Sequence, residues 1–322
     1  MRILRHHDEV PPDCRGGAVA LGNFDGVHRG HQAVIGTARD IARGGTGGGD
    51  GPQAMPMGVM TFDPHPRRLF QPDAPPFALS ALRTKARRVE DLGAQFLYVQ
   101  HFDHTFASHP AEWFVETVLA RNLGVRHVVI GKDYRFGRGR RGDADLMRTM
   151  AADLGFGVTT VPAVTDTDGR VLSSTRAREA LVAGRPDEAA DVLGQPWEVE
   201  ARVEHGDARG RTIGFPTANL RLGDYLRPAL GVYAARAGVD AGSETVWHDA
   251  VANYGRRPTF DATDPLLEVH LFGFDGDLYN QHLRVRLVAF LRPERKFDGL
   301  EALKAQIGAD ADAARRLLSA KV

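Results

Sequence analysis

The sequence has 322 residues, and at roughly 150 residues per domain that length suggests two domains. Its 41 Lys and Arg balance its 41 Asp and Glu, which argues against a dedicated nucleic-acid binder, and 43% hydrophobic with 25% charged content is typical of a soluble globular protein. The single cysteine, Cys14, excludes an internal disulfide and a cysteine-built zinc site, and no apolar run approaches the ~18 residues a membrane helix needs. The start turns polar at Arg5-His6-His7-Asp8, before any apolar signal region could form, so the expectation is a cytoplasmic enzyme with no membrane or nucleic-acid partner.

From residue 18 to about 165, short apolar runs alternate with longer amphipathic stretches. The runs fall at 18–21, 58–62, 96–99, 127–130 and 158–161, and helix-like segments at 32–43, 111–122 and 143–154. That order predicts an α/β domain whose parallel sheet is covered on both faces. A glycine-rich stretch, 44–51, reads as a surface loop. A helix should end at Gly184, before Pro186, which places the domain boundary at 186/187. Beyond it, segments 197–204, 231–239, 245–253, 266–272 and 283–291 read as strands, with period-two alternation clear in Leu283-Arg284-Val285-Arg286-Leu287-Val288. This half predicts an antiparallel barrel or sandwich closed by a C-terminal helix from Leu300.

The first strand runs into Gly22-Asn23-Phe24-Asp25-Gly26-Val27-His28-Arg29-Gly30-His31. Two glycines permit a tight strand-to-helix turn, and a helix start gathers anions through its unpaired amides and partial positive charge. His28 and His31, three apart, share one face of that first turn. A solvated turn with two idle histidines is the plain alternative, but the crevice after the first strand of an α/β sheet is where ligands usually bind. Leu172-Ser173-Ser174-Thr175-Arg176-Ala177-Arg178 supplies a second candidate. Its hydroxyls can serve only as helix caps, yet two arginines in a first helical turn oppose the helix dipole, and a bound phosphate would compensate them.

Other patterns are discounted. No Gly-x-x-x-x-Gly-Lys-Ser/Thr loop occurs. Gly137, Gly139 and Gly142 form a Gly-x-Gly-x-x-Gly, but Arg138, Arg140 and Arg141 fill it and no strand leads directly into it. An arginine-rich loop or a solvated turn is expected there, and no NAD site. His101, His104 and His109 share no helix or strand period, so surface histidines and no zinc are expected. Cys14 has no paired base in view and receives no role.

Taken together, these segments resemble the prokaryotic bifunctional riboflavin kinase/FMN adenylyltransferases, the FAD synthetases, along essentially the whole chain. Gly22 to His31 is similar to the family's nucleotidyltransferase signature. Thr61-Phe62-Asp63-Pro64-His65-Pro66 and Gly131-Lys132-Asp133-Tyr134-Arg135-Phe136-Gly137 are similar to two further segments, Tyr134 standing where Phe is usual. Ser173 to Arg178 resembles the second adenylyl-transfer signature, with Leu172 and Ala177 at positions commonly Ile. In the second half, Gly210-Arg211-Thr212-Ile213-Gly214-Phe215-Pro216-Thr217-Ala218-Asn219 resembles the riboflavin kinase motif. Asn253-Tyr254-Gly255-Arg256-Arg257-Pro258-Thr259-Phe260 and Leu267-Glu268-Val269-His270-Leu271-Phe272 accompany it, and Asn280 replaces a usual Gly.

The resemblance implies a Rossmann-like nucleotidyltransferase domain (1–186) and a riboflavin-kinase barrel (187–322). Riboflavin, FMN and ATP would be the substrates, with Mg²⁺ as the cofactor. In the first domain it implies attack of the FMN phosphate on the α-phosphorus of ATP. His28, His31, Ser174, Thr175, Arg176 and Arg178 would hold the phosphates, and Gly22, Asn23, Phe24 and Asp25 would shape the nucleotide site. Phe62, Asp63, Tyr134 and Phe136 would line the flavin pocket, although core packing explains Phe62 equally well. In the second domain, Glu268 would take the proton of the ribityl alcohol. Thr217 and Asn219 would hold Mg²⁺ and ATP, and Gly206, Gly210, Gly214 and Pro216 would form the nucleotide loop. Two alternatives stay open: retention of only one activity, or a non-catalytic flavin-binding regulator. The oligomeric state is left open.

Overall fold

The short apolar runs of the first half pair in parallel. The computed structural model describes residues 1–5, 10–44, 55–205, 214–241, 244–256 and 265–320. The chain forms two compact units, residues 1–74 with 85–172, and residues 75–84 with 173–322. The first unit carries strands β1 (Arg2–Leu4), β2 (Ala18–Leu21), β3 (Met57–Asp63), β4 (Phe96–His101), β5 (His127–Gly131) and β6 (Gly157–Val161) in one parallel sheet of order β1-β4-β3-β2-β5-β6. All four residues of β2 are buried, as expected of a central strand covered on both faces. Because β3 and β5 flank β2 on opposite sides, the strand order reverses there, and the crevice beyond the carboxyl end of β2 is the expected ligand position.

Helices α1 (Arg29–Ala42), α2 (Pro66–Phe70), α3 (Leu82–Asp91), α4 (His104–Ser108), α5 (Ala111–Trp113, continued by a π-helical segment Phe114–Leu123) and α6 (Ala144–Leu154) connect the strands. Sequence periodicity missed β1 and α3. β1 is only three residues long and lies on the sheet edge, and α3 carries an apolar stripe of just Leu82, Ala86 and Val89 among charged residues. Cys14 is buried in the first unit's core, and burial pushes its thiol up. Most of the glycine-rich 44–51 stretch lies outside the described residues.

In the second unit, α7 (Ser174–Val182) and α8 (Pro186–Leu193) precede the strands. The expected 186/187 boundary falls inside α8, one residue after its start, and both helices belong to the second unit: Gly184 (φ 71°) follows the end of α7, and Pro186 opens the first turn of α8. Strands β7 (Trp197–Glu204), β8 (Ala218–Arg221), β9 (Gly231–Ala241), β10 (Glu244–Gly255), β11 (Leu266–Leu271) and β12 (His282–Pro293) close an antiparallel barrel of order β10-β11-β8-β7-β12-β9. Alternate residues fill it, Val199, Leu220, Leu267, Val269, Ala252 and Tyr254 among them. On the outer face, α9 (Leu300–Ser319) lays Ala311, Ala314 and Leu318 against Val232, Ala234, Val251 and Val288. Arg292 pins this helix through two nearly parallel bonds to Asp310, Nε–Oδ1 at 3.0 Å and Nη2–Oδ2 at 2.7 Å.

Residues 75–84 are tied into the second unit by specific bonds. The amide of Ala78 donates to the Asp224 carbonyl, and that of Leu226 donates to the Ala78 carbonyl. The buried Trp197 Nε1–H donates to the Leu79 carbonyl at 2.8 Å, and Arg83 Nε meets the buried Glu200 at 3.0 Å.

Candidate functional site

In the first unit, the turn after β2 is held in an unusual backbone. Phe24 (φ 48°) and Val27 (φ 44°) are left-handed, as is Gly26 (φ 77°), and each such non-glycine residue costs of order 1–3 kcal/mol. A β-branched residue in that region persists only where its surroundings over-determine it. Here Thr61 Oγ1 on β3 donates to the Asn23 carbonyl at 2.9 Å, Lys85 Nζ on α3 donates to the same carbonyl at 2.7 Å, and Gln32 Nε2 donates to the Val27 carbonyl at 2.9 Å. The amide of Gly22 donates to the Met60 carbonyl, so the turn leaves the sheet in register.

The turn delivers two stacked imidazoles. His28 is the N-cap of α1: its Nδ1 accepts the backbone N–H of His31 at 3.3 Å, which leaves Nε2 as the protonated, donating nitrogen. The His28 and His31 rings stack at 3.6 Å, and Phe24 meets His31 edge-on at 5.2 Å. Gly30 leaves room for the stack, since a Cβ there would lie 3.0 Å from the His28 ring, tighter than ordinary contact. Phe24 itself is fully buried and supports His31 with its ring. Asp25 is buried beside the histidines, whereas Asn23 is exposed.

Next to this turn, the residues expected in the flavin pocket fall into one aromatic cluster. Phe62 packs on Phe102 and Phe106, Phe106 on Phe114, Phe114 on Phe136, and Phe136 on Tyr134. Phe62 and Phe136 are buried core residues, Tyr134 is half-buried, and Asp63 stands exposed at the end of β3. Burial pushes the Tyr134 phenol above its ordinary range. The Gly137 to Gly142 loop closes on a Phe136–Gly142 bridge and exposes Arg138, Arg140 and Arg141. His109 stacks on Trp113 at 3.7 Å.

In the second unit, Ser173 caps α7, its Oγ accepting the N–H of Arg176 at 3.3 Å. Ser174 and Arg176 are half-buried and Thr175 is exposed. Arg178 Nε donates to the Phe77 carbonyl at 2.8 Å with its guanidinium over the Phe77 ring, so part of this side chain is committed to holding residues 75–84.

On the barrel, cross-strand register builds a polar row. Glu204, Asn219, Glu268 and Asn253 occupy directly opposed positions on β7, β8, β11 and β10, so their side chains share the outer face. Asn219 is buried, and Glu268 is half-buried between the buried Leu267 and Val269, which point inward. Glu204 is paired with Arg221 at 2.8 Å. Thr217 and Pro216 lead into β8. His270, two residues beyond Glu268 on the same face, donates through Nδ1 to the Pro216 carbonyl at 2.8 Å and ties that segment down. Gly214 is left-handed (φ 86°). Gly206 and Gly210 lie outside the described residues, as do Arg257 to Phe260.

Sequence reasoning missed Lys85, Thr61, Asn253 and Glu204 as members of these constellations. For Lys85 a signal existed: Leu82, Ala86 and Val89 follow an i, i+4, i+7 stripe, and Lys85 stands in its i+3 slot, where a surface lysine is out of place. Asn253 opens a segment already quoted for the resemblance, but its place in this row, like that of Glu204, becomes visible only through register, which no single strand encodes.

Comparison with known proteins identifies the family. The FAD synthetase family model matches residues 10–176 and the riboflavin kinase family model matches residues 193–318. The bifunctional riboflavin kinase/FMN adenylyltransferase of Escherichia coli K12 is 38% identical over 98% of this chain and 97% of its own. That of Bacillus subtilis is 37% identical over 99% and 98%. Among solved structures, a chain from Streptococcus pneumoniae described as a macrolide-efflux protein superposes with a TM-score of 0.83 at 32% identity, covering 98% of this chain and 99% of that one. Among the described residues of this chain no helix is long and apolar enough to cross a membrane. The chain belongs to the bifunctional riboflavin kinase/FMN adenylyltransferase family, and its two activities convert riboflavin to FMN and FMN to FAD at the expense of ATP.

Proposed function

We propose that each unit holds its own nucleotide and that the residues assembled above divide the chemistry between them, in the cytoplasm. In the first unit the FMN phosphate oxygen attacks the α-phosphorus of ATP, the bond to the bridging oxygen of the β-phosphate breaks, and pyrophosphate leaves. The nucleophile is already an anion, so this reaction needs placement and charge stabilisation and no protein nucleophile. His28, donating through Nε2, and His31 act on the ATP phosphates, while Asn23 and Asp25 shape the nucleotide site. The aromatic cluster around Phe62 and Phe136 forms the wall beside which the flavin ring lies, with Asp63 and Tyr134 at its rim. Ser174, Thr175, Arg176 and Arg178 are assigned to phosphate on the electrostatics of their own helix start, Arg176 more strongly than the partly committed Arg178.

In the second unit the ribityl alcohol attacks the γ-phosphorus of ATP and ADP leaves. An alcohol is a weak nucleophile at neutral pH, and Glu268 takes its proton. Thr217 and Asn219 offer a hydroxyl and an amide oxygen, hard donors of the kind Mg²⁺ accepts alongside waters and phosphates, and the buried Asn219 is directly opposed to two carboxylate-bearing residues. The donor set therefore fits magnesium, which when bound would neutralise charge on the β- and γ-phosphates.

The separate placement of the two constellations carries this reading: a stacked histidine pair beyond β2 in one unit, an Asn219–Glu268 register pair in the other. Titration of the intact protein with a non-hydrolysable ATP analogue, Mg²⁺ and flavin tests it. Two bound nucleotides per chain are expected, and saturation at one overturns the division.

A further inference from the structure

Lys85 is the feature of the first unit that the reaction as described does not use. Its side chain is sealed beneath the 22–31 turn at 6% exposure, an unusual place for a lysine. Nζ donates to the Asn23 carbonyl at 2.7 Å and to Thr61 Oγ1 at 3.2 Å, while Thr61 Oγ1 donates in turn to the same Asn23 carbonyl at 2.9 Å. The three groups close a small hydrogen-bonded ring about one backbone oxygen. That oxygen immediately precedes the left-handed Phe24, and the strained stretch through Val27 ends at the N-cap His28.

Burial lowers the Lys85 pKa from its ordinary 10.5, and the nearby charges of Asp25 and Asp63 pull the other way. A hydrophobic residue in the same slot would avoid this desolvation, so packing alone gives no reason for a lysine. Asp25 belongs to the strained turn and Asp63 ends β3, so the ammonium sits among three elements that must keep fixed relative positions.

We infer that Lys85 is a positioning residue for adenylyl transfer: by holding the Asn23 carbonyl it fixes the strained turn and thereby the placement of Asp25 and His28. The inference depends on the reading that His28 and His31 act on the ATP phosphates. Lys85 touches neither phosphate nor flavin in this role. It sets where the contacting groups stand, and a misplacement of about 1 Å at such a site can cost on the order of 10²-fold in rate.

The test uses the full chain, because the two activities can be read in the same preparation. Lys85→Met keeps the stem and removes the ammonium. It is expected to lower kcat for FAD formation from FMN by about 10²-fold while KM for ATP moves by less than about threefold and FMN formation from riboflavin stays within about twofold. In Lys85→Ala, added methylammonium should restore part of the FAD-forming rate and methanol, of similar size and uncharged, should not. A Lys85→Met protein that forms FAD within about threefold of the parent overturns the inference, as does equal rescue by methanol. If the substitution abolishes the first unit's thermal transition, Thr61→Val decides. Losing one hydroxyl from the ring should slow FAD formation about fivefold with the transition retained, and an unchanged rate overturns the inference. His31→Ala, assayed alongside, separates the two levels: if it forms FAD normally the site reading itself fails, whereas an inactive His31→Ala beside an active Lys85→Met removes only the role of Lys85.

Discussion

The two units place the side chains proposed to act in catalysis by opposite means. In the barrel, Asn219 and Glu268 stand on regular strands, and the pleat and register alone set them on one face. In the α/β unit, His28 and Asp25 come from a turn with three left-handed residues, and bonds from β3 and α3, distant in sequence, hold the Asn23 carbonyl at its start. The difference follows the chemistry. A phosphate monoester is ready to attack, so its site needs anions held against repulsion, which a helix start and imidazoles can do. An alcohol must lose a proton, so its site needs a base at a defined spot, which a strand supplies at low strain.

The sharpest way to break this comparison is Glu268→Ala. FMN formation should fall by about 10²–10⁴-fold, the usual contribution of a general base, while FAD still forms from supplied FMN at the parent rate. Chromatography of the flavins after separate incubations with riboflavin and with FMN reads both steps. Loss of both in a folded protein would mean that the units do not divide the work. The mirror experiment is His31→Ala, expected to cost FAD formation about 10²–10³-fold, as removal of one preorganised donor does, with FMN formation intact.

The comparison also explains what could be read in advance. Five of the barrel's six strands were legible from their local pattern, period two being clearest in β12, whereas a role for Glu268 came from the family resemblance and not from that pattern. The turn after β2 was legible as a turn through its two glycines, Gly22 and Gly26. The left-handed Phe24 and Val27 were not, since nothing in their own side chains asks for that conformation. Lys85 left a trace as a lysine within an apolar stripe, but its partner, a backbone carbonyl 62 positions earlier, could not be read from it. β8, only four residues long, carries Asn219 but escaped the strand reading, and its row with Glu204, Glu268 and Asn253 exists only once the barrel closes. Segment 75–84 reads as part of the first half by position, yet the bonds from Ala78, Leu79 and Arg83 place it in the second unit.

That segment gives the next, smaller effect. A fragment of residues 187–322 keeps the Asn219–Glu268 row and should phosphorylate riboflavin without making FAD. It lacks the Leu79 carbonyl, however, and a buried Trp197 Nε1–H left without its acceptor costs about 1–3 kcal/mol. The urea midpoint of the barrel should therefore be lower in the fragment than in the whole chain. Equal midpoints would show that residues 75–84 contribute nothing to the second unit's stability.

The smallest expected effect sharpens the contrast between the units in acid. In the first unit, burial holds the His127 imidazole below its ordinary 6.5. The unfolded chain then takes up the proton first, so this contribution to stability is complete above pH 6.5 and declines as pH falls below it. In the second unit, burial pushes Glu198 up, but hydrogen bonds and charge from Arg284, joined by Arg286, outweigh it and hold the carboxyl below its ordinary 4.5. Its contribution is complete above pH 4.5 and is lost as pH falls through the depressed value. Hydrogen-exchange protection factors followed from pH 7 to 4 should fall first in β5 and β6, and only later in β7 and β12. His127→Phe should flatten the early decline without moving the later one. A barrel that loosens before the parallel sheet would show that neither residue governs the acid response of its own unit.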